Sequence, residues 1–154
     1  MTSADDPAAA IAYVQARFGG PHYRAACDLR ERVLRRPLGI PLRDVDTAED
    51  SGEELFCALQ AERVIACLHL KYVDAATMKL RQMAVDPAFQ KSGVGSGLVR
   101  FAEGWARGRA TDAIVLDARI AAAPFYERLG YAREGEPFES VGIPHIRMRR
   151  SLGP

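Results

Sequence analysis

The residues of this chain that could do chemistry gather in its second half. Gln90-Lys91-Ser92-Gly93-Val94-Gly95-Ser96-Gly97 follows an apolar run ending Met83-Ala84-Val85. It precedes Leu98, Phe101, Ala102 and Trp105 at helical spacing. The first amides of a helix have no intrahelical partner, and the helix dipole adds partial positive charge there. Glycines remove the Cβ atoms that would hold a phosphate off the backbone. The stretch therefore suits an anion, with a purely structural helix cap as the alternative. Two common phosphate loops are excluded: G-x-G-x-x-G would need glycine where Leu98 stands, and the Gly-Lys-Ser/Thr of a Walker loop is absent. Two side chains could move protons. Tyr126 carries a phenol with an ordinary pKa of about 10, and is otherwise a core aromatic. His145 has the intrinsic pKa of a base near neutrality, although Ile143-Pro144-His145-Ile146 also suits a buried, hydrogen-bonded histidine.

The elements around these residues follow from pattern and turn chemistry. Residues 1–10 read as a flexible tail and Ile11 to Phe18 as a first strand, broken by Gly19-Gly20-Pro21. Tyr23 to Arg35 reads as a helix with Ala26, Leu29 and Val33 on one face, ended by Arg36-Pro37-Leu38-Gly39-Ile40-Pro41. Arg43 to Gly52 is polar and acidic. It reads as a solvated loop, or as a segment that turns one carboxylate toward an amine. Glu53 to Gln60 and Arg63 to Tyr72 read as a hairpin about Ala61-Glu62, and Thr77 to Val85 as the next strand. On that strand, alternation sets Lys79, Arg81, Met83 and Val85 against Leu80, Gln82 and Ala84. Gly108 closes the central helix. Ala113 to Leu116 is a continuous apolar run, as in a buried parallel strand. Ala121 to Leu129 is a short helix with Pro124 in its first turn and Gly130 at its end. Tyr131 to Glu134 and Ile143 to Arg150 form a last strand pair with a long, irregular connection. The order predicts a single α+β or mixed α/β domain with helices on both faces of a mixed sheet.

Composition excludes several classes. The chain has 154 residues, 48% hydrophobic and 27% charged, with a formal net charge of +1. That suits one soluble domain and gives no electrostatic case for nucleic acid or a membrane surface. The apolar runs are too short to span a bilayer. The acidic start, Met1 to Pro7, does not resemble a signal peptide, so a cytoplasmic protein is the expectation. Cys27, Cys57 and Cys67 are an odd, widely spaced set, which reads as buried thiols. His22, His69 and His145 show no metal-ligand spacing, so no metal is expected.

Gln90, Gly93 and Gly95 match Q/R-x-x-G-x-G/A, directly after the strand ending in Val85. This resembles the pyrophosphate loop of the GCN5-related N-acetyltransferases. Ala123-Pro124-Phe125-Tyr126-Glu127-Arg128-Leu129-Gly130-Tyr131, preceded by Leu116-Asp117-Ala118-Arg119, resembles the C-terminal signature of the same superfamily, A-x-x-F-Y-x-x-x-G-F/Y. Gly135 to Phe138, Gly142 to His145 and Leu29 to Leu34 are similar to the ElaA-type branch. The chain departs from that branch after the first helix, where Leu34-Arg35-Arg36-Pro37 lacks the usual Glu-Gln pair. It also has Arg119 where many acetyltransferases have Asn.

The resemblance implies a splayed mixed sheet of about seven strands with about four helices, and acetyl transfer from acetyl-CoA to a primary amine, the acceptor being a small molecule. It puts Tyr126 as the acid that protonates the leaving thiolate. It has Met83, Ala84 and Val85 pairing with the acetyl and pantetheine portions. Gln90, Lys91, Ser92, Gly93, Val94, Gly95 and Ser96 would hold the pyrophosphate, and Arg119 would contact CoA or an acidic acceptor. The base is open among His145, Asp46 and Glu139. A homodimer is common in the superfamily. Two competing readings remain at this point: a CoA-binding sensor or partner-binding module without efficient chemistry, and a nucleotide-binding domain that rests on the glycine loop alone.

Overall fold

The computed structural model describes residues 10–39 and 47–153. Seven strands form a mixed sheet: β1 (Ile11–Ala16), β2 (Glu54–Gln60), β3 (Arg63–Tyr72), β4 (Thr77–Val85), β5 (Ala113–Arg119), β6 (Ala132–Ser140) and β7 (Ile143–Ser151). Their order is β1-β2-β3-β4-β5-β7-β6. Three α-helices lie among the described residues: α1 (Pro21–Arg30), α2 (Val94–Arg107) and α3 (Ala123–Arg128). The chain divides into two compact units. One holds the described residues through Leu70 with Gln82–Ala102; the other holds Lys71–Arg81 with the residues from Glu103 onward.

In the first unit, β1 and β3 both pair antiparallel with β2. The β2–β3 turn is the expected tight one. Ala61 and Glu62 take φ of 49° and 67°, the mirror-image turn whose twist matches the flanking strands. β2 is buried along nearly its whole length because both its faces are covered. Leu55, Cys57 and Leu59 join Ala26 and Leu29 of α1, with Cys67 and Ala84, in one apolar cluster. Phe56 points the other way and meets Phe101 of α2 edge-on at 6.0 Å, while Tyr13 stacks on the same ring. Pro21 does not break the chain, as expected from Gly19-Gly20-Pro21, but opens α1, where its missing N–H has no partner to lose. The helical path continues with wider turns through Glu31–Arg35 and stops at Gly39, whose φ is 72°.

In the second unit, β4 and β5 run parallel with Thr77–Leu80 beside Ala113–Leu116, and β7 pairs antiparallel with β5 and β6. Met78, Leu80, Ile114, Leu116, Ala118, Ile146 and Met148 are buried. Pro124 sits in the first turn of α3 and Gly130 ends it with φ of 98°, as expected. The buried Glu103 carboxylate accepts hydrogen bonds from the Tyr131 hydroxyl at 2.9 Å and the Arg150 guanidinium at 2.6 Å.

Three expectations change. The connection after Glu134 is not long and irregular. β6 runs on to Ser140, and Val141-Gly142 (φ 47° and 75°) turns it tightly into β7. Gly135 and Pro137 are absorbed in a register shift between Glu134 and Phe138. β6 is the edge strand and exposed throughout, so a proline there forfeits no inner ladder bond. α2 ends at Arg107, but the left-handed residue after it is Ala110 (φ 57°), not Gly108. In β4, Gln82 has φ of 54°, which breaks the alternation drawn through it. Met78, Leu80 and Ala84 are buried, whereas Gln82 is half-buried.

Candidate active site

The loop residues lie together in the first unit. Asp86 caps a tight turn over Pro87–Phe89, its carboxylate accepting from the Ala88 amide at 3.0 Å. Gln90 donates from Nε2 to the Val85 carbonyl at 3.2 Å, tying the loop to the end of β4. Lys91 and Gly93 both take positive φ, 66° and 90°. The Ser92 hydroxyl donates to the Phe89 carbonyl and accepts weakly from the Val94 amide at 3.4 Å. Gly97 is the first residue with an intrahelical acceptor, Gly93 O at 2.9 Å. The amides of Gly95 and Ser96 therefore belong to the open first turn.

Two glycines have distinct physical reasons. A Cβ on Gly93 would meet nothing within 4 Å, so only its φ and the open space beyond it select glycine. A Cβ on Gly97 would lie 2.0 Å from the Tyr13 hydroxyl oxygen. Gly93 thus leaves room above the loop where an anion could approach the backbone, and Gly97 lets the first turn of α2 lie against β1.

Tyr126, Arg119 and His145 lie in the second unit. Tyr126 is 6% exposed, packed edge-on against Phe125 at 4.9 Å and Tyr131 at 5.8 Å. Burial raises its pKa above the ordinary phenol value, so the hydroxyl keeps its proton at neutral pH. Arg119 and His145 are direct partners in the β5–β7 ladder and both are half-buried. His145 Nδ1 lies 2.7 Å from the Ile143 carbonyl. A carbonyl only accepts, so this bond selects the Nδ1–H form and leaves Nε2 of the neutral ring with its lone pair. The ring stacks on Phe138.

Glu139 is exposed and one residue past Phe138, so it points to the opposite face of the strand from His145. Asp46 lies outside the described residues, as do positions 43–45 of the acidic stretch.

Two constellations escaped the sequence. The first is a buried ion network. Asp50 is 3% exposed rather than in a solvated loop. Its Oδ2 accepts from Arg30 Nη1 and from the Tyr23 hydroxyl, both at 2.7 Å. His69 Nδ1 lies 3.1 Å from Glu53 Oε1 and 3.6 Å from Asp50 Oδ1. Asp50, Glu53 and His69 place three possible ligand atoms within 4.8 Å of one another, a convergence that His69's isolation in the sequence did not suggest. The only advance signal was Arg30 four residues after Ala26, on the buried face of α1.

The second constellation is an ion cluster on the sheet. Asp117 lies between Arg147 Nε at 2.5 Å and Lys79 Nζ at 2.9 Å. Partial burial pushes the Asp117 pKa up, but hydrogen bonds from Arg147 and Lys79 outweigh it and hold the carboxyl below its usual range. Cys57 and Cys67 are buried, as expected, and Cys27 is half-buried. Burial pushes the Cys57 thiol up to about 12 and the Cys67 thiol further in the same direction. Among the described residues, no helix is long and apolar enough to cross a membrane.

Residues 43–152 match the family profile described as an acetyltransferase (GNAT) domain. A Bacillus subtilis (strain 168) protein named "Putative acetyltransferase" is 34% identical over 129 residues, which is 81% of this chain and 86% of that protein. Among solved structures, Escherichia coli ElaA superposes with a TM-score of 0.79 at 20% identity, over 92% of this chain and 99% of ElaA. An aminoglycoside 6'-N-acetyltransferase complexed with coenzyme A superposes with a TM-score of 0.76 at 17% identity, over 93% of this chain and 98% of that one. At those identities the two structures speak for the fold alone.

Proposed function

This chain belongs to the acetyltransferase (GNAT) family, and we propose that it transfers an acetyl group from acetyl-CoA to a primary amine of a small molecule. The observation that carries this reading is the loop after β4. Gln90 fastens it to the strand end, and Gly93 leaves open space where a side chain would lie. The first-turn amides of Gly95 and Ser96 suit the pyrophosphate, with Lys91, Ser92 and Val94 completing the loop. Met83, Ala84 and Val85 offer strand backbone to the pantetheine and acetyl portions, as in strand addition. Binding of CoA or acetyl-CoA by GNAT relatives supports the choice of donor.

The transfer needs two proton movements. A neutral amine attacks the thioester carbonyl, the C–N bond forms and the C–S bond breaks. His145 Nε2, held in the accepting form by its Nδ1–H bond to Ile143, takes the proton from the amine nitrogen. Tyr126, kept protonated by burial, donates to the thiolate as it leaves. Arg119 is the ladder partner of His145 and belongs to the acceptor side.

Calorimetric titration with acetyl-CoA, CoA, ATP and NAD tests the donor, and steady-state turnover of Tyr126→Phe tests the acid. Binding of acetyl-CoA and CoA alone is the expected pattern. Tyr126→Phe is expected to lower kcat by about 10²-fold or more while leaving acetyl-CoA affinity unchanged. Tight ATP or NAD binding without CoA, or wild-type kcat in the variant, would overturn the respective assignment.

A further inference from the structure

The register of the second unit fixes which charged side chains share a face. Lys79 is the ladder partner of Val115, Arg149 of Val115, Arg147 of Asp117, and His145 of Arg119. Side-by-side residues in a ladder project to the same side, and the Lys79–Asp117 and Arg147–Asp117 contacts agree with that assignment. Arg81 follows Lys79 on the same side of β4. On β6, Glu134 pairs with Arg147 and Phe138 with His145. This face therefore carries Lys79, Arg81, Arg119, Arg147 and Arg149 around His145, against the carboxylates of Asp117 and Glu134. Each of the five cations is half-buried or exposed. The opposite side of the same strands is the apolar core of Met78, Leu80, Leu116, Ile146 and Met148.

The protein as a whole carries only +1, so the imbalance is a concentration of charge on one face. Two cations share the single Asp117 carboxylate. The acidic stretch before β2, which would have suited a cationic amine, does not offset this. Its Asp50 and Glu53 side chains are 1% and 2% exposed and are turned to Arg30 and His69.

We infer that the ligand received at this face is a small amine that also bears an anionic group, a carboxylate or a phosphate. The anionic group docks on the Arg147–Lys79–Arg149 side. This deepens the acetyl-transfer reading and rests on it for the fate of the amine, but not for the binding. Asp117 then acts as a positioning residue: it holds Arg147 and Lys79 together and sets how much positive charge is left for the ligand.

The test is calorimetric titration of the full chain, with and without saturating CoA, using two matched pairs: O-phosphoethanolamine against ethanolamine, and β-alanine against propylamine. The anionic member of at least one pair is expected to bind at least about tenfold more tightly, as one charge-assisted hydrogen bond would give. The pair with the larger ratio identifies phosphate or carboxylate. Arg147→Gln should remove the preference and Asp117→Asn should enlarge it. Both variants replace partly exposed side chains, and thermal melting checks that they fold. Equal or tighter binding of ethanolamine and propylamine would overturn the inference, as would a preference untouched by Arg147→Gln. A loss of acetyl-CoA affinity in Arg147→Gln as large as the loss for the probe would also overturn it, because the face would then serve the donor's own phosphates. Acetylation of the bound probe is scored separately. Binding without acetyl transfer counts against the acetyl-transfer reading and leaves the anionic ligand standing.

Discussion

Asp50→Asn is expected to be among the costliest single substitutions on this chain. Arg30 and Asp50 are 0% and 1% exposed at the side chain and 2.7 Å apart. Asparagine keeps the shape but removes the charge that compensates the Arg30 guanidinium. Breaking one partner out of a buried pair costs about 3–5 kcal/mol, because the remaining charge stays buried. The Tyr23 hydroxyl also loses a charged acceptor. For a chain of this size each kcal/mol moves Tm by about 2–4 °C, so a fall of about 10–15 °C is expected. Urea unfolding followed by circular dichroism should give the same loss with an unchanged m-value. Arg133→Gln, which breaks the exposed pair with Glu127, is the control and should stay within about 0.5 kcal/mol of the parent protein. The double variant Arg30→Met with Asp50→Leu should recover much of the stability, since two apolar side chains leave no orphan charge. A loss in Asp50→Asn below about 1 kcal/mol, or a double variant no better than the single one, would refute the reasoning.

Two further outcomes follow from packing and burial. Gly97→Ala places a Cβ 2.0 Å from the Tyr13 hydroxyl oxygen and 2.5 Å from its Cζ; it should cost about 1–3 kcal/mol by overpacking, and adding Tyr13→Ala should relieve part of that in the same melt. Iodoacetamide should label native protein at Cys27 at most, with Cys57 and Cys67 reacting only on unfolding, as read by peptide mass; labelling of either in the native state would contradict their burial. The raised Cys57 pKa also gives the sign of a pH effect. The folded thiol stays protonated up to about 12, whereas the unfolded one ionises near about 8.5. Its contribution to stability is therefore complete below the lower value and is lost as pH rises between the two. A chemical-denaturation series above pH 8.5 should show that decline.

Much of this protein was fixed by neighbours a few residues apart. The Ala61-Glu62 turn, Pro124 at the start of α3, Gly130 at its end and the glycine loop before α2 are local matters of φ, missing donors and helix termini. They can be read from short stretches of chain because the atoms involved are covalently close. The apolar run Ala113 to Leu116 likewise carried its own burial. What only the tertiary structure decided depends on partners distant in sequence. Asp50 looked like a solvated acid until Arg30, twenty positions away, was found to meet it at 2.7 Å in the interior. His69 looked solitary until β3 brought it beside Glu53. The β6–β7 pairing absorbed Gly135 and Pro137 because an edge strand tolerates what an inner strand would not. The charge of the face around His145 could not be read from composition, since the chain is nearly neutral; it required the strand register. A shift of one residue would have sent Arg147 and Arg149 to the apolar side. Which carboxylates are consumed inside and which cations are left at the surface is decided when the strands pair.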